Sequence, residues 1–199
     1  MQEKQIPTFY LVNEIVIAHL SYTYGLNGFL IPSKLPFLVD VIEAESIIEE
    51  AALARQFGAD YVVLSLQWGN EYQHDPSPFQ LDLAKDLLND PNIDIIVGSH
   101  AHEIQPIGTV NDKPVIFGLG NFLSNQSFNC CPDASQNGVI VFVEIEGQRG
   151  EVHITKNISV TPTRVDRSNY KIIPLFDEIM SLEVGSYFRN IYERAFNET

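Results

Sequence analysis

The chain has 199 residues, 45% of them hydrophobic, enough to bury a sizeable core, and the expected organisation is one domain or one large piece of a domain. Twelve Lys and Arg against 26 Asp and Glu give a net charge of -14, which argues against a nucleic-acid partner and for a self-repelling surface. No apolar stretch approaches the roughly 20 residues that span a bilayer, and Met1-Gln2-Glu3-Lys4-Gln5 lacks the apolar core of a signal peptide, so the chain as given is expected to be soluble.

Asn13 to Tyr22 reads as a strand, with Ile15, Val16, Ile17, Ala18 and Leu20 nearly continuous and therefore expected to be buried on both faces. A glycine-containing loop, Thr23 to Gly28, follows. Val41, Ile42, Ala44, Ile47, Ile48, Ala51 and Ala54 recur at helical spacing, with glutamates filling the other face, which predicts a helix from about Asp40 to Phe57. Gly58 stands where a left-handed cap is expected. Ala59 to Leu66 reads as a second strand emptying into the polar loop Gln67-Trp68-Gly69-Asn70-Glu71-Tyr72. Ser77, Pro78 and Gln80 form a helix-start signature, a capping serine with a glutamine able to reach back. That helix is expected to bury Phe79, Leu83, Ala84, Leu87 and Leu88 and to stop near Asp90-Pro91. The apolar run Ile93 to Val97 delivers Gly98-Ser99-His100-Ala101-His102. Strand, helix, strand, helix, strand favours a parallel sheet with right-handed crossovers.

The second half changes character. Ile107–Val110 and Pro114–Leu119, joined by a short polar turn, predict a hairpin that ends in Gly120-Asn121-Phe122. Gly138 to Ile145 and Val152 to Val160 suggest another antiparallel pair, and Leu175 to Asn197 carries weaker helical periodicity. The first half alone suggests a doubly wound sheet; the strand-rich second half argues for helices packed outside sheets in a mixed α/β sandwich. Neither a GxGxxG nor a Walker pattern is present, which argues against dinucleotide binding. Cys130 and Cys131 are adjacent, a spacing that disfavours a bridge between them and does not match a zinc site.

Three loops carry the candidate chemistry. His100 and His102 offer imidazoles that either share a metal or make ordinary loop hydrogen bonds. Gln67 offers an amide oxygen, Glu71 a carboxylate, and Asn121 an amide able to orient a substrate or ligand. Trp68 reads as a packing residue or a substrate platform. His19 and His153 lie in strands and read as structural, while His74 beside Asp75 is a lesser candidate.

These motifs occur in one order and at close spacing: Tyr22-Thr23-Tyr24-Gly25-Leu26-Asn27-Gly28, Gln67-Trp68-Gly69-Asn70-Glu71-Tyr72, the Gly98-to-His102 loop with Gln105-Pro106, and Leu119-Gly120-Asn121-Phe122. Together they resemble the CapA/PgsA capsule-synthesis family, associated with poly-γ-glutamate and placed in the calcineurin-like metallophosphoesterase superfamily, over about residues 15 to 175. The resemblance implies a four-layer α/β/β/α metallophosphatase-like sandwich across residues 1–199, incomplete at its N-terminus. It implies a divalent metal (manganese, zinc or iron) held by His100, His102 and Gln67, with Glu71 and His100 in catalytic roles and Trp68 and Asn121 touching substrate. By the same resemblance, partners are an anionic polymer or phosphoester and a membrane-bound synthase, at the cell surface. Two departures stand out. Gln67 replaces the family's usual histidine, and the early aspartates and Gly-Asn-His ligands of the superfamily have no counterpart before residue 22. The isolated chain is therefore expected to bind metal weakly and to be a poor catalyst, either as a metal-dependent hydrolase lacking part of its site or as a non-catalytic binding module.

Overall fold

Period-two alternation in the central strands sets the layers. The computed structural model describes residues 7–127, 129–148 and 153–175. Strands β1 (Thr8–Val12), β2 (Ile15–Thr23), β3 (Tyr61–Gln67), β4 (Ile95–Ser99), β5 (Ile107–Val110) and β6 (Lys113–Ile116) form one sheet in the order β1-β2-β3-β4-β6-β5. Its centre, β2-β3-β4-β6, is parallel, and β1 and β5 add antiparallel edges. Ala18, Leu20, Val62, Leu64, Leu66 and Ile96 point to one face, where helices α1 (Ala44–Gln56) and α2 (Pro78–Asn89) bury Ile47, Ala51, Ala54, Leu83, Ala84, Leu87 and Leu88 against them. The opposite face presents Tyr61, Ile95 and Ile116 to Val141, Val143 and Ile145 of a second, antiparallel sheet. That sheet is β7 (Asn137–Glu146), β8 (Ile154–Asp166) and β9 (Lys171–Pro174). Among the described residues, helices, sheet and sheet are stacked in that order, three of the four layers that the resemblance implies and a mixed sandwich rather than a doubly wound sheet. The helical periodicity at 175–197 falls, beyond Leu175, outside the described residues.

Local chemistry explains most boundaries. Ser77 caps α2 by accepting from Gln80 N, and the Gln80 side chain accepts from Ser77 N at 2.9 Å, completing the expected capping box. Phe79, at the second helical position, stays exposed instead of joining the core. Helix α1 starts later than expected, at Ala44, because the preceding residues are held by β2: Thr23 N donates to Asp40 O, and Ile42 N donates to Thr23 O. Glu43 then caps the helix by accepting from Glu45 N and Ser46 N. Gly58 closes it at φ +95°, the left-handed conformation that favours glycine. Strand β2 is not buried on both faces. Ala18, Leu20 and Tyr22 are covered by helices, but the second sheet reaches only as far as Ile17, leaving His19 half-buried and Ser21 exposed. Sequence periodicity did not reveal β1 and β9, the short edge strands.

At the opposite end of the sheet from the strand-end loops, Asp94 accepts from Val62 N and from Arg55 at 2.5 Å each, tying the end of α1 to the starts of β3 and β4. No helix among the described residues is long and apolar enough to cross a membrane.

Candidate functional site

Register brings the polar strand ends together. Thr23 pairs with Gln67 and Gln67 with Ser99, so the last residues of β2, β3 and β4 form one row at the carboxyl edge of the sheet. Beside this row lies a cavity of about 440 Å³ lined by Ser21, Thr23, Asp40, Ser65, Gln67 and Ser99. Burial pushes the Asp40 carboxyl above its ordinary range.

Gly98 shows why the histidine loop starts where it does. The indole nitrogen of Trp68 donates to Phe117 O at 3.0 Å directly over Gly98, and an added Cβ would sit 2.6 Å from the Phe117 carbonyl carbon. A side chain there would separate the two groups. Trp68 is fully buried within the helix-side core and stacks on Phe117 with ring centroids 5.9 Å apart. The substrate role expected for Trp68 is therefore corrected: its whole surface is spent on packing.

Beyond Ser99 the backbone turns sharply. His100 and His102 adopt φ of +100° and +55°, conformations sparsely populated by non-glycine residues. Tyr24 packs on His100 with centroids 4.4 Å apart, and Tyr72 stacks on His102 at 5.8 Å. The two imidazoles lie 6.3 Å apart, centre to centre. His102 Nδ1 is 2.9 Å from Asn121 Oδ1. Asn121 Nδ2 donates to Gln126 Oε1 and Ser135 O, which fixes the amide with its oxygen toward the imidazole. His102 Nδ1 is then the donor, an arrangement that in a neutral imidazole leaves the Nε2 lone pair free. Asn121 thus orients His102. Burial lowers the pKa of His100, with Glu71 opposing the shift and His102 adding to it, which favours the neutral, ligating imidazole.

Gln67 is exposed, and its Oε1 accepts from the Thr23 hydroxyl at 3.3 Å. Glu71 is exposed on a loop held by Tyr72 N donating to Ala101 O, close enough to His100 for its charge to be felt. His74 turns elsewhere, its Nδ1 3.3 Å from the carboxylate of Glu103. Two imidazoles and one amide oxygen are a neutral donor set, and among the described residues no three His, Cys, Asp or Glu side chains converge. These residues do not by themselves fit a complete catalytic metal centre, which needs anionic donors to hold divalent cations.

Three features beside the site are not among the expectations from the sequence. Glu103, one residue past the histidine pair, is 2% exposed, and burial with Asp133 nearby raises its pKa to about 7. Gln80 and Gln105 form a buried amide pair at 2.8 Å, and Gln105 donates onward to Gln73 O, bracing the start of α2 against the loop around Glu71. Cys130 and Cys131 are joined in a disulfide, contrary to expectation. Both backbone N–H groups donate to Ser127 O at 2.9 Å, a tight turn that turns the neighbouring sulfurs toward each other.

The fold is shared with known proteins. The sulfate thiohydrolase SoxB of Thermus thermophilus superposes with a TM-score of 0.50 at 17% identity, over 94% of this chain and 28% of that one. In sequence, the PGA biosynthesis protein CapA of Bacillus subtilis is 34% identical over 125 residues, and the capsule biosynthesis protein CapA of Bacillus anthracis 33% identical over 129. Each match takes in 62% of this chain but only 32% and 31% of those proteins, so the chain spans about a third of the length of these curated relatives. Residues 1–126 match the family described as bacterial capsule synthesis protein PGA_cap, and the chain belongs to that family.

Proposed function

We propose that this chain serves capsule or poly-γ-glutamate production and that the edge formed by His100 and His102 is part of a divalent-metal site, completed by carboxylates from outside the described residues. The observation that carries this reading is the fixed tautomer of His102: Asn121 holds Nδ1 and leaves Nε2 available beside His100. Charge supports it as well. A chain of net charge -14 repels an anionic polymer or phosphoester, and a divalent cation at this edge would offset that repulsion. On this reading Glu71 and His100 face the substrate, hydrolysis of a phosphoester requires the completed site, and the protein works at the cell surface. When bound, manganese, zinc or iron would supply Lewis acidity; this chain's own contribution is to hold and orient two neutral imidazoles.

A second reading, a non-catalytic module binding an anionic polymer or a membrane-bound synthase, is favoured by Gln67. An amide is a poor ligand for such metals, and its oxygen already accepts from Thr23.

Titration of the 199-residue chain with manganese or zinc, followed by calorimetry, separates the two. The metal reading expects weak binding that His102→Ala abolishes and Gln67→His strengthens by about tenfold or more. Metal binding unchanged in His100→Ala and His102→Ala chains, with metal-independent binding of poly-γ-glutamate, would establish the second reading. Tight two-metal binding with phosphodiester turnover by the unmodified chain would refute the need for outside carboxylates.

A further inference from the structure

We propose that Cys130 and Cys131 are a thiol–disulfide exchange site whose oxidation state is transmitted to His102. The pair is placed for chemistry. Cys130 is exposed and Cys131 half-buried, so an incoming thiolate meets the Cys130 sulfur first. The Tyr72 hydroxyl lies 3.6 Å from Cys131 Sγ and donates to it. Attack on Cys130 expels the Cys131 thiolate, and a donor already aimed at that sulfur stabilises the charge it acquires. The Ser127 N–H, 3.3 Å from Cys130 Sγ, is similarly placed for the other sulfur.

The step balances with an external dithiol. One of its thiolates bonds to Cys130 as the Cys130–Cys131 bond breaks, and the Cys131 thiolate takes up a proton. The second thiolate of the reductant then attacks its own sulfur in the mixed disulfide and releases Cys130 as a thiolate, which is protonated in turn. Two electrons and two protons pass to the protein, and the reductant leaves as a disulfide.

Transmission follows a continuous chain of hydrogen bonds. Tyr72, which donates to Cys131, accepts from Gln126 Nε2 at 3.3 Å; Gln126 Oε1 accepts from Asn121 Nδ2 at 3.1 Å; Asn121 Oδ1 holds His102 Nδ1 at 2.9 Å. Tyr72 also stacks directly on His102. Opening the ring made by two adjacent cysteines frees the turn anchored on Ser127, and Tyr72 and Gln126 are the groups that register it. This assignment stands whether or not the histidine edge holds metal.

The test uses the intact chain, metal-free, with dithiothreitol as the dithiol. Iodoacetamide labelling followed by mass spectrometry is expected to find no modified cysteine before reduction and both modified after it. Histidine ring signals in carbon–proton NMR spectra, assigned with a His102→Gln chain, are expected to move for His102 and not for His19, which bonds Ser65 on β3. A Cys130→Ser/Cys131→Ser chain should show the reduced His102 signal without reductant, which guards against a misreading if reduction loosens the fold. Tyr72→Phe is expected to slow reduction by about threefold. Labelling without reductant, or a His102 signal identical in the oxidised, reduced and serine chains, would overturn the proposal; an unaltered reduction rate in Tyr72→Phe would remove Tyr72 from it.

Discussion

Replacing Gly98 by alanine tests the idea that the histidine loop is positioned by a close approach in the core rather than by loop flexibility. The added Cβ would fall 2.6 Å from the Phe117 carbonyl carbon and against the indole nitrogen of Trp68, and neither neighbour is the free end of a flexible side chain. Forced overpacking costs about 1–3 kcal/mol. Parting the Trp68–Phe117 hydrogen bond leaves a buried donor unsatisfied, at about 1–3 kcal/mol more. Reduced entropy of the unfolded chain returns about 0.4–1 kcal/mol. The net loss is about 3 kcal/mol, a large share of the roughly 5–15 kcal/mol typical of a folded domain. Urea unfolding read by the fluorescence of Trp68, the chain's single tryptophan, should show the midpoint falling by about 1–2 M. Gly108→Ala is the control, since a Cβ there meets nothing within 4 Å. A Gly98→Ala chain within about 0.5 kcal/mol of wild type would refute the argument.

Glu103→Gln should alter the pH dependence of stability. The folded carboxyl titrates at about 7 against its ordinary 4.5, so between these values the folded state holds the proton that the unfolded chain has lost. Its contribution is present below about pH 4.5, fades as pH rises to about 7 and stays lost above it, for a total on the order of 3 kcal/mol. Glutamine removes that slope, and the variant should gain on wild type between pH 5 and 7 in thermal melts; parallel profiles would disprove it. Ser77→Ala removes the cap of α2 and should cost about 1 kcal/mol by chemical denaturation, with no change in the His102 ring signals. An unchanged denaturation midpoint would show that the capping box contributes nothing to stability.

Much of this arrangement was legible in the sequence because it rests on local rules. Ser77 and Gln80 announce a helix start through a capping box, Gly58 a left-handed stop, and the apolar runs before Gln67 and Gly98 announce buried strands that aim loops at one edge. The elements that escaped are those set by tertiary pairing. Thr8–Val12 becomes a strand by pairing with Ile15–Thr23, and Asp40 to Ile42 leave a helical pattern because β2 offers them backbone partners. Trp68 illustrates the limit within the site. The first residue past the end of β3, it continues the alternation and faces the side opposite Gln67, and only the packing of α2 and Phe117 turns that side into core. Glu103 depends on how distant loops close over it, which no spacing along the chain records, and the cysteine bridge depends on the tight turn on Ser127, which adjacency alone does not announce.

The left-handed backbone at His100 and His102 has an evolutionary consequence. Substitution at these two positions is filtered by conformation before chemistry, since β-branched residues are strained there while Gly, Asn and Asp are tolerated. A lineage that abandons imidazole chemistry while keeping the fold should drift toward those three residues, whereas one that still uses the edge should hold histidine at both positions. The pattern of replacement across relatives would therefore separate chains that retain a working edge from those that have kept only its scaffold.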